Sequence, residues 1–163
     1  MRYDTNLFTT RCNLHRYGNA DGVRGRKLEL EHFLSQHGVD ICLLSETFLN
    51  SGQAFRLANY VCHRTDRPTA GDGTAILVRR GITHHSVPVP GLTQLEATAI
   101  QIMLAGRPVK VLAAYLSPSR PLIGADLDAC FWRQVSGLDG RRPESQTCRL
   151  ELSAEHEEGE TPA

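Results

Sequence analysis

The feature that most constrains the fold of this sequence is a short apolar run, residues 39–44, that directly follows Gly38. A bounded apolar run of this length is typical of a buried β-strand. Residues from about 24 to 37 show the helical spacing i, i+3, i+4 and i+7, and Gly38 stands where a C-terminal cap belongs. A helix, a glycine and a buried strand make half of an α/β unit, which predicts an α/β fold. The apolar helical face consists of Leu30, Phe33, Leu34 and His37.

Further apolar runs predict more strands of the same domain. Residues 74–78 are typical of a second buried strand, and residues 95–104 and 108–116 indicate a hairpin because a short turn-forming segment separates them. A second helix is predicted to begin near residue 124. Residues 50–72 contain turn formers and little apolar periodicity, which indicates a loop-rich stretch.

The two ends of the chain differ from this central part. Residues 1–18 are polar and irregular, and we interpret them as a degenerate N-terminal segment. Residues 139–163 contain no aromatic residue and are rich in Glu, so they cannot bury enough apolar surface to offset the entropy of ordering. We therefore predict a structured domain over residues 19–131 and an unrelated, disordered tail over residues 132–163.

Composition and simple sequence patterns exclude several classes of protein and site. The formal net charge is zero, but residues 1–132 carry 14 Lys and Arg against 11 Asp and Glu; this net of +3 is too weak to identify a nucleic-acid-binding protein by charge alone. The five cysteines are odd in number and form no Cys-x-x-Cys pair, so they indicate neither a disulfide framework nor a zinc site. No apolar run is long enough for a membrane span and no secretory signal is visible. We expect an intracellular protein, of nucleus or cytoplasm, with no membrane partner; its oligomeric state is left open.

Glu46 is the candidate functional residue whose chemical role is best defined by its position. It follows the buried strand 39–44 within the sequence Ser45-Glu46-Thr47, and in α/β folds the carboxyl ends of strands form the ligand-binding edge. One carboxylate at such an edge is a suitable Mg²⁺ ligand, since Mg²⁺ is held by one or two carboxylates with water and phosphate oxygens. The alternative is structural, because acidic residues are also common in the first turn of a helix.

Two other polar residues follow or end predicted elements. Asn19 lies in a turn before the first helix, where a simple Asx turn is the structural alternative. Tyr115 ends a predicted strand before a Pro-containing loop, so its hydroxyl could face a site or be buried and satisfied. Asp126 and Asp128 are two residues apart, which favours a helix start over a metal site. His84 and His85 would point to opposite faces of a strand, which argues against metal binding there.

Several blocks, taken in order, resemble a known family. In order and spacing they are similar to the N-terminal endonuclease domain of jockey-type non-LTR retrotransposons, which belongs to the exonuclease–endonuclease–phosphatase superfamily. The resemblance covers about residues 19–131; the Ser-Glu-Thr after an apolar strand is fairly specific, and the combination with the other blocks is strong. The matching blocks are residues 19–23, 27–30, 33–34, 39–47, 73–78 and 113–118.

The resemblance implies two β-sheets packed face to face with helices outside, that is, a partial β-sandwich flanked by helices. It implies an endonuclease that nicks DNA with Mg²⁺ or Mn²⁺. Glu46 then matches the metal-binding Glu of the family, Asn19 its first active-site Asn, and Tyr115 the Tyr before its Pro loop. All three are predicted to be catalytic, and Glu46 is the predicted metal ligand.

The chain also departs from the family pattern. The family carries an Asp-x-Asn motif after the Pro loop and a later Asp-His, whereas this chain has no Asn beyond Asn59 and only His156 beyond His85. We therefore expect a truncated domain that lacks its partner sheet and leaves an apolar face uncovered, with impaired nuclease activity. The alternative is a non-catalytic remnant that binds nucleic acid or protein weakly. A phosphatase of the same superfamily is a third reading, which the spacing of the blocks disfavours.

Overall fold

The structure is a computed structural model that describes residues 14–20, 22–66, 73–89, 91–131 and 149–153, the strand residues 14–19 and 149–153 by their backbone. This part of the chain forms two four-stranded sheets and two helices. No helix within it is long and apolar enough to cross a membrane. The elements are β1 (Leu14–Asn19), α1 (Lys27–Gln36), β2 (Ile41–Ser45), β3 (Tyr60–Thr65), β4 (Thr74–Arg79), β5 (His84–Val87), β6 (Leu95–Leu104), β7 (Arg107–Leu116), α2 (Gly124–Phe131) and β8 (Arg149–Ser153).

The first sheet has the order β1-β2-β4-β3. β1 and β2 are parallel and α1 connects them, while β4 pairs antiparallel with β2 and β3. All five residues of β2 are buried, as the continuous apolar run predicts for a central strand. α1 ends at Gln36, and Gly38 adopts φ 58°, the left-handed conformation that glycine tolerates best after a helix.

The second sheet has the order β5-β6-β7-β8. Its centre is the predicted hairpin of β6 and β7, which pair antiparallel from Leu95↔Leu116 to Leu104↔Arg107. Ala105 and Gly106 form the turn with φ 50° and 75°. Positive φ at both central residues is the requirement of the tight turn that matches strand twist in two-residue hairpins.

The two sheets face each other across an apolar core. Four core residues come from β2 and β4 and four from β6 and β7, so the inner faces cover one another in the described residues. The two-sheet fold implied by the resemblance is therefore confirmed, and the expectation that the partner sheet is missing and an apolar face uncovered is wrong. The core residues between the sheets are Ile41, Leu43, Ile76, Val78, Ile100, Ile102, Val111 and Ala113.

The helices cover the outer faces of the sandwich. Leu30 and Leu34 of α1 are buried in a cluster that includes Leu44 and Leu77 from the first sheet. On the second sheet, Cys130 of α2 belongs to a cluster with alanine and leucine residues of β6 and β7. The flanking helices of the predicted fold are thus present. Together with the core between the sheets, these two helix–sheet clusters give three apolar layers.

Four strands were not predicted. β1 covers the end of the segment 1–18 that was interpreted as degenerate, so at residues 14–18 that interpretation is wrong. β3 lies within residues 50–72, and both β3 and β5 are edge strands with mainly polar, partly exposed residues, so neither produces an apolar run. β8 pairs parallel with β7. At these five residues the structure differs from the predicted disordered tail, because backbone pairing to an existing sheet edge does not require an apolar sequence. The remainder of the predicted tail and residues 1–13 of the degenerate segment lie outside the described residues, and the domain boundaries stay a prediction.

Two histidines on the edge strands β3 and β5 connect the sheets. The rings of His63 and His84 meet edge to face with centroids 4.9 Å apart, and His84 Nδ1 lies 2.6 Å from the Ile82 carbonyl oxygen. His63 Nε2 is buried without a hydrogen-bond partner among the described residues. Burial first, and the neighbouring His84 second, lower the pKa of His63 from its ordinary value of 6.5.

We expect the free energy of unfolding to fall as the pH drops below about 6.5, because the unfolded chain then takes up a proton that folded His63 resists. Urea denaturation at pH 7.5 and 5.5 measures this fall. His63→Gln should reduce it, whereas His32→Gln, at an exposed position of α1, should leave it as in the wild type. An equal pH dependence in the wild type and His63→Gln would contradict the prediction.

Candidate active site at one rim of the sandwich

One edge of the sandwich gathers strand ends from both sheets, and we call this edge the rim. In the first sheet, Ser45 at the end of β2 pairs with Thr74 at the start of β4. In the second sheet, Leu95 at the start of β6 pairs with Leu116 at the end of β7. The hydroxyl oxygens of Thr74 and Thr98 lie 2.8 Å apart, so the two sheets meet at this edge.

The structure brings the backbones of Asn19 and Glu46 to the same place on the rim. Asn19, the last residue of β1, pairs with Ser45, the last residue of β2, in the parallel register. The Ala20 amide donates to the Ser45 carbonyl at 3.0 Å. Parallel strands end at the same sheet edge, so the backbones of Asn19 and Glu46 are neighbours there. Asn19 ends a strand and does not lie in the turn that the sequence predicted for it.

Glu46 leaves β2 with an unusual backbone conformation. Its φ is 53°, and residues 46–50 form no helix, so the alternative of a first-turn acid does not apply. The Gly22 amide donates to the Glu46 carbonyl at 3.2 Å and the Val23 amide donates to the Thr47 carbonyl at 3.2 Å. A left-handed φ costs a non-glycine residue roughly 1–2 kcal/mol, and such strain concentrates at functional sites. The Glu46 side chain is half-buried at this edge.

Tyr115 reaches the rim from the second sheet. It is buried and pairs across the hairpin with Glu96, so these two side chains lie on the same face of the sheet. That face is the inner one, because Ile100 and Val111 at the same periodicity belong to the core between the sheets. Tyr115 and Glu96 therefore face the first sheet at the rim.

Glu96 links the two sheets and was not singled out by the sequence. Its Oε2 accepts a hydrogen bond from the Gly73 amide at 2.8 Å, and the Gly73 carbonyl accepts one from the Thr47 amide at 3.3 Å. Glu96, the cross-strand neighbour of Tyr115, is thus connected through Gly73 to Thr47, the residue after Glu46. The signal in the sequence was an acidic residue near the start of a strand, on the face that also carries core isoleucines. Its hydrogen-bond partner, Gly73, could be identified only once the positions of the two sheets were known.

Gly73 packs closely against Thr47. A Cβ at Gly73 would lie 2.8 Å from Thr47 Oγ1 and 3.4 Å from the Thr65 carbonyl oxygen. The φ of Gly73 is 91°, which L side chains rarely adopt. Thr47 itself is fully buried, and its Oγ1 has no hydrogen-bond partner among the described residues. This contact fixes the segment that directly follows Glu46.

Asp126 fixes the start of β6. Its carboxylate is fully buried and accepts from the amides of Thr93 at 2.9 Å, Gln94 at 2.7 Å and Leu95 at 2.7 Å, and from the Thr93 hydroxyl at 3.1 Å. Burial alone would raise the pKa of Asp126, but the hydrogen bonds, that of Leu95 foremost, outweigh it and hold the pKa below 3.8. Asp126 stands in the first turn of α2, where the sequence predicted a helix start, yet its carboxylate binds a neighbouring loop.

Basic side chains follow β1 on the rim. Arg24, Arg26 and Lys27 are all exposed, and they continue from Gly22 and Val23, which pair with Glu46 and Thr47. Lys27 Nζ also lies 3.7 Å from Glu31 Oε1, so its charge is partly offset. Positive charge beside a strand-end carboxylate is an arrangement that suits a polyanion with a bound cation. The zero net charge of the chain does not reveal this local concentration.

The donor set at the rim suits a hard divalent cation. Among the residues that the structure describes, no group of three or more His, Cys, Asp or Glu could hold a metal ion without other ligands. Glu46 supplies a carboxylate at a partly open edge. Mg²⁺ is bound in this way by one or two carboxylates, with water and phosphate oxygens as its other ligands, so the residues fit such an ion.

Comparison with known proteins agrees with this fold. Residues 11–152 match the Endonuclease/Exonuclease/phosphatase family, and the chain belongs to that family. The resemblance to retrotransposon endonuclease domains is confirmed by its relatives. Over 105 residues, the chain is 30% identical to the "RNA-directed DNA polymerase from mobile element jockey" of Drosophila funebris; this covers 63% of the chain and 12% of that protein.

A second relative and a solved structure extend the comparison. The chain is 29% identical over 144 residues to the "Probable RNA-directed DNA polymerase from transposon X-element" of Drosophila melanogaster, covering 76% of the chain and 16% of that protein. Its fold is similar to the endonuclease domain of TRAS1, a telomere-specific non-LTR retrotransposon, with a TM-score of 0.56 at 16% identity. That alignment covers 73% of this chain and 50% of the other, so the chain spans only part of each protein it resembles.

Proposed function

We propose that the rim is the phosphodiester-cleaving site of a metal-dependent DNA endonuclease domain of retrotransposon type. The observation that carries this proposal is the placement of Glu46 directly after β2, beside the end of β1 at Asn19 and on the edge that Tyr115 reaches from the other sheet. The strained backbone of Glu46 supports a role beyond folding, since strain of this kind is retained mainly where function requires it.

The chemistry follows from the residue types. Glu46 would hold Mg²⁺ or Mn²⁺, and the ion when bound would withdraw charge from the scissile phosphate. Asn19 would orient the phosphate through its side-chain amide, and the Tyr115 hydroxyl would donate a hydrogen bond to a phosphate oxygen. Arg24, Arg26 and Lys27 would contact flanking phosphates, which positions DNA without reading its sequence.

We expect slow turnover from this chain. The family's Asp-x-Asn and Asp-His motifs, which would orient the attacking water and the phosphate, have no counterpart in its 163 residues. Catalytic groups that act as a unit are not additive, so loss of part of the set removes most of the rate. The same observation favours the second candidate, a remnant that binds nucleic acid weakly through its basic residues and cleaves nothing.

Nicking of supercoiled plasmid with Mg²⁺ tests the proposal through Glu46→Ala. We expect the nicking rate to fall about 100-fold, equal to roughly 2.7 kcal/mol of transition-state stabilisation, because the ion loses its protein carboxylate. Glu29→Ala removes an exposed carboxylate from α1 and should leave the rate unchanged.

Equal nicking by the wild type and Glu46→Ala would overturn the endonuclease proposal. If neither protein nicks DNA while Arg24→Ala weakens binding to a DNA duplex, the non-catalytic remnant is the correct reading. Because phosphate contacts release counterions, that binding should weaken steeply as salt is raised.

A further inference from the structure

We propose that Glu96 is a positioning residue of the rim: its hydrogen bond to Gly73 holds Thr47, and thereby Glu46, in the conformation that presents the Glu46 carboxylate to a divalent cation. This inference deepens the proposed function and rests on it. Glu96 belongs to the second sheet and Glu46 to the first, so the proposal makes the metal-binding conformation depend on how the two sheets are held together.

The first step is the anchoring of Glu96 itself. β6 is paired with β7 over its whole length, and Glu96 lies opposite Tyr115 in that register. The preceding residue, Leu95, donates its amide to the buried carboxylate of Asp126 at 2.7 Å. The backbone at Glu96 is therefore held by the pairing with β7 and by the hydrogen bond from Leu95 to Asp126. A residue that positions other groups needs such a rigid backbone.

The second step is the transfer from Glu96 to Thr47. Gly73 is buried, and its amide donates to Glu96 Oε2 at 2.8 Å. The Gly73 carbonyl accepts from the Thr47 amide, and Gly73 has no Cβ between itself and Thr47 Oγ1. A displacement of Gly73 would therefore move Thr47.

The third step is the dependence of Glu46 on Thr47. Glu46 has φ 53° and Phe48 has φ 51°, so Thr47 lies between two non-glycine residues in the left-handed region. These conformations persist only where the surroundings impose them. The Thr47 amide and carbonyl are both held, by Gly73 and by Val23, and this segment gives Glu46 its direction at the end of β2.

Equilibrium binding of Mn²⁺, followed by electron paramagnetic resonance, tests the proposal without requiring activity. We expect Glu96→Ala to weaken Mn²⁺ binding at least about tenfold. Glu96→Gln keeps an oxygen that can accept from Gly73 and should restore binding to within about threefold of the wild type. Ile102→Val perturbs the far end of β6 and serves as the control for lost stability, with unchanged Mn²⁺ affinity expected.

Amide hydrogen exchange gives a readout that needs no metal. Exchange at Gly73 and Thr47 should accelerate in Glu96→Ala and stay close to wild type in Glu96→Gln. Unchanged exchange and unchanged Mn²⁺ affinity in Glu96→Ala would overturn the proposal. Equal loss of affinity in both variants would also overturn it, since Glu96 would then bind the ion through its charge. Absence of Mn²⁺ binding by the wild type would instead count against the proposed function, and the exchange result would still decide the role of Glu96.

Discussion

Replacement of Asp126 by alanine is expected to lower the free energy of unfolding by about 3–5 kcal/mol. The carboxylate is fully buried and accepts four hydrogen bonds from Thr93, Gln94 and Leu95. Removing it leaves three amides and a hydroxyl without their acceptor at the start of β6. The Leu95 amide is buried, and a buried donor left unpaired costs about 1–3 kcal/mol, while the partly buried donors of Thr93 and Gln94 cost less. The sum is reduced because water can enter part of the space that the side chain vacates.

Urea denaturation of Asp126→Ala beside Asp128→Ala measures this effect. Asp128 stands two residues further along α2 and is exposed, so its replacement should change stability by no more than about 0.5 kcal/mol. Equal stability losses in the two variants would show that α2 tolerates substitution generally and that the carboxylate has no special part in holding β6.

The pH dependence of this effect has a definite sign. Folded Asp126 has a pKa below its ordinary value of 3.8, so its contribution is fully present above that value. It is lost as the pH falls through the lower, folded pKa, because the unfolded chain takes up the proton first. The difference in stability between the wild type and Asp126→Ala should therefore be constant near neutral pH and shrink below about pH 4.

The parts of the fold that the sequence predicts are those whose signal is local. β2 and β4 are continuous apolar runs, and β6 and β7 are such runs joined by a turn with Gly106, so burial and turn chemistry identify them. β3 and β5 were not found because an edge strand is half-exposed and reads as polar. Their existence depends on pairing with β4 and β6, which is established only once the sheets form.

The residues of the candidate site likewise include some with a local sequence signal and some without one. Glu46 could be singled out because a carboxylate directly after a buried strand is a local pattern. Glu96 could not, because its importance depends on Gly73, which a different sheet brings within 2.8 Å. Asp126 was correctly placed near the start of a helix, yet its partners lie on the loop before β6 and leave no mark in the sequence around it.

Gly73→Ala is expected to destabilise the chain by about 2–4 kcal/mol, because two costs add. A side chain at φ 91° is strained, and the new Cβ would lie 2.8 Å from Thr47 Oγ1. Gly81→Ala separates these costs: Gly81 has φ 103°, but nothing lies within 4 Å of its Cβ, so it bears the backbone strain alone. The difference between the two variants, measured by thermal or urea denaturation, should be about 1–3 kcal/mol, the usual range for overpacking.

A double-mutant cycle with Thr47→Ala shows whether the clash is the cause. Thr47→Ala removes the oxygen that the new Cβ would meet, and that oxygen is buried without a partner among the described residues, so no hydrogen bond is lost with it. We expect Gly73→Ala to cost less in the Thr47→Ala background, with a coupling energy of about 1 kcal/mol or more. Strict additivity would mean that the cost of Gly73→Ala arises from backbone strain or the Thr65 carbonyl. The close approach of Gly73 to Thr47 would then not be what holds the segment after Glu46.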